Sequence, residues 1–349
     1  MIALDAMGGD FAPAVTVQGA VNAAKRGIHV GLFGDEATLE VLLNRIDTQW
    51  SKLPLTIVNC TQIIGMGDEP GRSVLAKKDS SLVRAVQATA DGTASAVVSA
   101  GNSGAALIAG TLIIGRIEGI MRPALGNFLP TLHGSVFCLD LGANTECRPE
   151  YLDQFALMGV LYVRAKSGIK EPRVALLSNG SEPYKGSMVV KQAYTMLDRG
   201  PLQFVGNVEA RDIFDDRTDV LVCDGFTGNI MLKAIQGTVH AATGWIRQEG
   251  ERNWLRRLAL LASSPLLKSL KRQVDYAQRG GAIFLGLKKP FIVAHGCSTA
   301  VAIERAIMFA HELVDKNVMT EFNKSLHHSM QYAMARVSPN PQQTPRLYF

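Results

Sequence analysis

Short apolar blocks recur along this chain, each ending in a turn of glycine and small polar residues and several passing into a helical pattern. Ile2 to Asp5, Ile28 to Phe33, Leu55 to Asn59, Ala96 to Ser99, Ser135 to Leu139, Arg173 to Leu177 and Val220 to Cys223 read as strands. Val15 to Arg26, Leu39 to Ile46 and Ser80 to Ala90 carry helical spacing between them, whereas Ile63 to Arg72, with three glycines and a proline, reads as a loop. Strands and helices alternating in this way predict an α/β fold, a mostly parallel sheet in an α/β/α arrangement with helices on both faces. Ligands of such sheets bind beyond the carboxyl ends of the strands, so chemistry is expected in the turns.

The turns hold the candidate residues. In Ser99-Ala-Gly-Asn-Ser-Gly104, Gly101 and Gly104 let the backbone approach a ligand, while Ser99, Asn102 and Ser103 offer polar groups at a helix start. A helix start of this kind suits a phosphate or an oxyanion. Asp5 and Asp10 bracket the Gly8-Gly9 loop, and Asp140-Leu-Gly-Ala-Asn144 follows another strand. Ser178-Asn-Gly-Ser-Glu182 precedes Lys185, and Asp224-Gly-Phe-Thr-Gly-Asn229 opens a helix carrying Lys233. A capped turn explains any one of these alone, but their repetition at successive strand ends points to a shared crevice. The first βαβ unit lacks Gly-x-Gly-x-x-Gly, so the usual dinucleotide fingerprint is absent.

A chain of 349 residues buries a full core without disulfides. One α/β catalytic domain is expected over residues 1–337, with a loosely ordered, proline-containing tail over 338–349. The five cysteines are odd in number and lack C-x-x-C spacing, which indicates neither a disulfide framework nor a zinc site and favours a reducing cytoplasm. The start at Met1 lacks the basic and apolar pattern of an export signal. Gly92 to Gly115 is free of charge, yet its serines, Asn102 and β-branched block fit a buried strand and helix start better than a membrane span. Between Arg247 and Arg279 lie eight basic and three acidic residues, a difference equal to the entire net charge of +5. That segment is suited to an acidic partner or an anionic membrane surface, and with no recognisable binding motif, nucleic acid is not expected. Leucines at helical spacing on either side of Ser263-Ser264-Pro265 predict two helical segments meeting at a bend, within a hairpin over 245–275.

Asp5-Ala-Met-Gly-Gly-Asp10, Ser99-Ala-Gly-Asn-Ser-Gly104, Asp140-Leu-Gly-Ala-Asn144, Asp224-Gly-Phe-Thr-Gly-Asn229, Gly280-Gly-Ala282 and Ala294-His-Gly296, in this order, resemble the bacterial phosphate acyltransferase of phospholipid synthesis. The resemblance covers roughly residues 1 to 330 and departs at Ser178-Asn-Gly-Ser-Glu182, where the family more often has an Asn-Ile-Gly-Glu-like turn. It implies a fold like that of phosphotransacetylase and isocitrate dehydrogenase, a homodimer and peripheral association with the inner face of the cell membrane. The implied reaction transfers an acyl group from acyl carrier protein to inorganic phosphate, with no cofactor and no metal. Such a reaction needs anion-binding turns, a cation and oxyanion donors, not a nucleophilic serine. On this resemblance Lys185 and the amides around Gly101 to Gly104 are expected to hold phosphate, with Gly8, Gly9, Ser99, Asn102 and Ser103 around it. Lys233 is the alternative cation, Asn229 or Asn102 the oxyanion donor, and His295 a proton carrier or a structural residue. Asp5, Asp10, Asp140, Asn144 and Asp224 are expected to position loops, because carboxylates beside phosphate repel it. Leu260, Leu261 and Leu266 are expected at the membrane surface. The competing enzymes are an acetyl-type phosphotransacetylase using coenzyme A and a metal- and nicotinamide-dependent dehydrogenase of the same architecture; the non-enzymatic alternative is a membrane-bound scaffold.

Overall fold

The computed structural model describes residues 1–263 and 280–335. Its strands are β1 (Ile2–Asp5), β2 (Val30–Gly34), β3 (Leu55–Asn59), β4 (Ala96–Ser99), β5 (Ala124–Pro130), β6 (Ser135–Leu139), β7 (Val174–Ser178), β8 (Phe204–Glu209), β9 (Val220–Val222), β10 (Ala282–Leu285) and β11 (Phe291–Val293). They form one sheet in the order β3-β2-β1-β4-β11-β10-β5-β6-β9-β7-β8. Among the described residues the pairing is parallel except where β10 meets β11 and β5, and where β5 meets β6. The helices are α1 (Ala14–Ala24), α2 (Glu36–Ile46), α3 (Pro70–Ala76), α4 (Ser81–Ala90), α5 (Ser103–Ala109), α6 (Pro149–Ser167), α7 (Met188–Asp198), α8 (Gly225–Glu251), α9 (Trp254–Ala262), α10 (Ala300–Asp315) and α11 (Val318–Ala335).

Both faces of the sheet are covered, which is why β1, β4 and β10 are buried along their whole length. Ile2, Leu4, Val98 and Ile283 pack with residues of α1, α6 and α10 on one face. Ala3, Val97 and Phe284 pack with α3, α4 and α5 on the other, and Cys138, Leu177 and Leu221 pack there with Met231 of α8. Each fully buried leucine or valine stabilises the fold by about 1.5–3 kcal/mol relative to exposure.

The short antiparallel insert sets the directions of the two halves. Val293, beside Ser99, faces Ala282 at the start of β10, while Leu285 at its end faces Ala124. Gly126 then faces Leu139 at the end of β6. The strands β6, β9 and β7 therefore run opposite to β1, β4 and β11, and their carboxyl ends emerge at the opposite edge of the sheet.

Apart from β11, which stands where an apolar strand is expected ahead of His295, three strands escape the sequence reading: β5 contains Gly126, Asn127 and Pro130 and β8 contains Gly206 and Asn207, so neither shows an uninterrupted apolar block, and β10 is an apolar block of only four residues behind a glycine pair. The expected loop over Ile63 to Arg72 also gives way partly to α3. Pro70 stands at its first turn, and the Glu69 carboxylate accepts from the N–H groups of Gly71 at 3.0 Å and Arg72 at 2.6 Å.

α8 ends at Glu251 and α9 runs from Trp254 to Ala262, so the chain turns at Arg252 and Asn253; the bend expected at Ser263-Ser264-Pro265 falls where the described residues end. The Leu260 side chain closes on Gly250, and Arg256 pairs with Glu249 across the bend. Among the described residues, no helix is long and apolar enough to cross a membrane. Leu266, the hairpin residues 264–275 and the tail over 338–349 lie outside the described residues.

Candidate active site

Asp5 organises the first group of candidate residues. It is 2 % exposed at the end of β1, and its carboxylate accepts from Ser81 Oγ at 2.6 Å and Ser99 Oγ at 2.7 Å. Burial pushes the Asp5 carboxyl up, and the Ser81 and Ser99 hydroxyls oppose that shift. The Ser99 hydroxyl in turn accepts from the Gly101 N–H at 3.0 Å. A side chain at Gly8 would collide with the Asp5 carboxylate and stand 2.9 Å from the Gly101 nitrogen, so this close approach requires glycine. The Asp10 N–H donates to the Gly296 carbonyl at 2.8 Å, which ties the Gly8-Gly9 loop to the turn after β11.

This wiring gives internal partners to several residues expected at phosphate. Ser99 is fully buried and bound to Asp5, and the Gly101 N–H is committed to Ser99, so both are internal braces of the turn. Asn102 caps α5, its oxygen accepting from Ala105 at 3.1 Å and its amide donating to the carbonyls of Met66 at 3.2 Å and Asp68 at 3.0 Å. That amide clamps the 65–69 loop. The N–H groups of Ser103 and Gly104 belong to the first turn of α5, where a helix offers no internal acceptor. His295 is exposed, with Nδ1 3.1 Å from Cys297 Sγ.

Asp140 organises the second group. It is fully buried at the end of β6 and gathers five donors. Oδ1 accepts from the N–H groups of Leu125 at 3.0 Å, Gly142 at 3.0 Å and Ala143 at 2.9 Å. Oδ2 accepts from the Asn144 N–H at 2.8 Å and from its side-chain amide at 2.8 Å. Burial pushes this carboxyl up as well, with those donors opposing. The turn so formed seats α8: the Gly225 N–H donates to the Asn144 carbonyl at 2.7 Å, and Gly228 packs on the Asp140 carbonyl so closely that a side chain would not fit. Asp224 caps α8, accepting from the Thr227 N–H at 2.8 Å. Asn229 then lies against Gly142, whose φ of +142° supplies the open space, and Lys233 follows one turn later, exposed.

Lys185 sits beyond β7, the strand next to β9. Its stem crosses Gly180, and its ammonium lies 5.8 Å from the centre of the Tyr184 ring. Asn179 holds the same turn by accepting from the Gly186 N–H at 2.9 Å.

The structure thus brings the candidates together as two groups. Asp5, Gly8, Gly9, Asp10, Ser99, Gly101 to Gly104 and His295 occupy one sheet edge; Asp140, Asn144, Asp224, Asn229, Lys185 and Lys233 occupy the other. Ala143, in the Asp140 turn, packs on the apolar cluster that also includes Ala105 and Ala109 of α5. Sequence reasoning missed Ser81. Ser81 reads as an ordinary first-turn serine, and its bond to Asp5 spans 76 positions. Among the described residues no three His, Cys, Asp or Glu side chains converge as a metal site requires.

Comparison with known proteins agrees with this architecture. A family model described as "Fatty acid synthesis protein" matches residues 1–321. The phosphate acyltransferase of Pelotomaculum thermopropionicum is 43% identical over 326 residues, covering 93% of this chain and 94% of that protein. The phosphate acyltransferase of Geobacillus thermodenitrificans is 44% identical over 321 residues, covering 91% of this chain and 96% of its own length. A solved phosphotransacetylase from Streptococcus pyogenes shares the fold at a TM-score of 0.56 and 17% identity, over 90% of this chain and 94% of that one. The matches to sequence relatives extend through both groups of turns, and on them this chain belongs to the phosphate acyltransferase family.

Proposed function

We propose that this enzyme transfers a long-chain acyl group from the thioester of acyl carrier protein to inorganic phosphate, yielding acyl phosphate for phospholipid synthesis. A phosphate oxygen attacks the thioester carbonyl, a tetrahedral oxyanion forms, and the carrier thiol leaves. The observation that carries this reading is the 43% and 44% identity to phosphate acyltransferases over 93% and 91% of the chain.

Within that reaction the second group is the better transfer site. Lys185 and Lys233 follow adjacent strands and supply positive charge for phosphate, and Asn229 is held on the Gly142 turn as a donor to the oxyanion. Asp140, Asn144 and Asp224 position that turn and the start of α8. The first group offers the Ser103 and Gly104 amides as a second anion-binding turn, with Asp5 and Asp10 as its frame. His295 orients the turn after β11 and carries no proton in the transfer.

Coenzyme A as the acyl donor is disfavoured by the hairpin. Trp245, Trp254, Leu258 and Leu261 are exposed there among Arg247, Arg252, Arg256 and Arg257, a surface that a small soluble donor does not need. Apolar residues beside basic ones favour an anionic membrane surface, so a peripheral site on the inner face of the cell membrane is part of this proposal, as is a homodimer. Purified protein is tested with phosphate and long-chain acyl carrier protein, following acyl phosphate and free carrier thiol. Formation of both in equal amounts is expected, and turnover of acetyl coenzyme A in preference would overturn the reading.

A further inference from the structure

A cavity of about 720 Å³ opens between the last turn of α6, the second half of α10 and the hairpin that joins β5 to β6. None of its residues belongs to either group of turns. Phe128, Met308 and Phe309 in its wall pack with the apolar cluster of α1, α6 and α10, whereas α8 packs on the other face of the sheet through Met231. Along β6 the cavity reaches Ser135 at the start of the strand, and Asp140 follows the opposite end.

The wall is apolar and its rim is charged. Arg305, Met308, Phe309 and Glu312 share one face of α10 at helical spacing. Phe128, Met308 and Phe309 are half-buried, so they keep apolar surface for an occupant. Lys166 Nζ lies 2.7 Å from Glu312 Oε2 and 5.4 Å from the centre of the Phe309 ring, and Lys316 Nζ lies 2.8 Å from Glu312 Oε1. Burial works to raise the Glu312 carboxyl, but the two lysines outweigh it and hold the group below its ordinary value, so it stays ionised. Arg305 is exposed, and its guanidinium has no hydrogen bond or ion pair among the described residues. Lys166, Arg305 and Lys316 against Glu312 and the exposed Asp315 leave an excess of positive charge, with His311 beside them.

We infer that this cavity binds a single-chain anionic amphiphile, its carboxylate or phosphate on Arg305 and Lys166 and its alkyl chain along Phe128, Met308 and Phe309. A guanidinium without a counter-ion and an ammonium with donors to spare suit either head group. The volume falls within the range of small-molecule sites, about 300–1,000 Å³. Inorganic phosphate alone would leave the apolar wall wet, and an uncharged chain would leave Arg305 unpaired. The site stands apart from the proposed acyl transfer and does not depend on it.

The native protein is titrated calorimetrically with dodecanoate, dodecyl phosphate, dodecyl maltoside and inorganic phosphate, the amphiphiles below their micelle concentrations. Saturable binding of dodecanoate, dodecyl phosphate or both is expected, at least about tenfold tighter than that of the uncharged amphiphile or of phosphate alone. The stronger of the two identifies the head group. Arg305→Glu should weaken this binding about tenfold, and Met308→Asp should weaken it by making the wall polar, with circular dichroism confirming that each variant is folded. Asn229→Ala, and Leu258→Asp combined with Leu261→Asp, should leave it unchanged, which separates the cavity from the transfer site and from the hairpin. Equal binding of dodecyl maltoside, no saturable binding of either anion, binding that survives Arg305→Glu, or binding lost with Asn229 or the hairpin leucines would overturn the inference. The titrations need no turnover, so they decide the site even if the proposed transferase activity fails.

Discussion

Replacing Asp140 by Asn keeps the size and shape of the side chain while removing one of its two acceptors. The structure offers five donors and divides them three to Oδ1 and two to Oδ2. The best orientation of the new amide keeps its oxygen on Leu125, Gly142 and Ala143, and turns its NH2 toward the Asn144 N–H and side-chain amide. Two buried donors then lose their partner, at about 1–3 kcal/mol each. Relief from burying a charge offsets part of that, leaving an expected loss of about 3 kcal/mol. For a chain of this size, that corresponds to a fall of about 4 °C in Tm. Because the same turn seats Gly225 and Gly228, the start of α8 shifts with it and displaces Asn229. The rate should therefore fall at least about tenfold even at temperatures where the variant is folded, since a displacement of about 1 Å costs that much or more. Differential scanning calorimetry and steady-state kinetics measure the two effects separately. A variant within about 0.5 kcal/mol of the native protein, with native kcat, would refute the idea that Asp140 holds this turn.

Lys185→Ala should weaken apparent phosphate affinity at least about tenfold, the loss of one charge-assisted contact of roughly 1.5–3 kcal/mol; phosphate saturation curves check this, and an unchanged curve removes Lys185 from the anion site. Asn229→Ala should lower kcat by about 10²–10³ with little change in either KM, the signature of a missing oxyanion donor. In the hairpin, Leu258→Asp combined with Leu261→Asp should abolish flotation with anionic liposomes while leaving turnover of soluble acyl carrier protein intact. Leu260→Asp should instead destabilise the hairpin, because Leu260 packs on Gly250; circular dichroism separates these outcomes.

What was legible in the sequence is the pattern that each strand and turn carries within itself. The Asp224 cap, the Asn102 cap and the strand before Ser99 are local, and each forms where the residues indicate. Relative strand direction is not local. It depends on β5, whose glycine, asparagine and proline break the apolar pattern, and on β10, four apolar residues behind a glycine pair, and reversing the second half moves Lys185 away from Gly101 to the far edge. The hidden partners were equally out of reach: Ser99 shares its polar character with any ligand-binding serine, and only the fold reveals that Asp5 and Gly101 occupy its hydroxyl.

The two buried carboxylates explain how an enzyme for an anionic substrate tolerates acids at its turns. A free carboxylate roughly 8 Å from phosphate, at an effective dielectric of about 20, opposes binding by about 2 kcal/mol per unit charge, while a lysine at about 4 Å favours it by about 4 kcal/mol. An acid is therefore affordable only when it stands behind the turn, and Asp140 does so with every donor in the turn pointing inward to it. That arrangement has a consequence for the amides. The N–H groups of Gly142, Ala143 and Asn144 are committed to Asp140 and so are unavailable to phosphate. On the proposed reading, anion binding at this end therefore comes from the side chains of Lys185, Lys233 and Asn229 and not from a backbone nest. At the other end Asp5 engages Ser81 and Ser99 and draws in a single amide through Ser99, so the Ser103 and Gly104 N–H groups stay outside its reach. On the proposed reading, the same device of a buried acid behind a glycine turn leaves side chains to bind the anion at one sheet edge and backbone amides to bind it at the other.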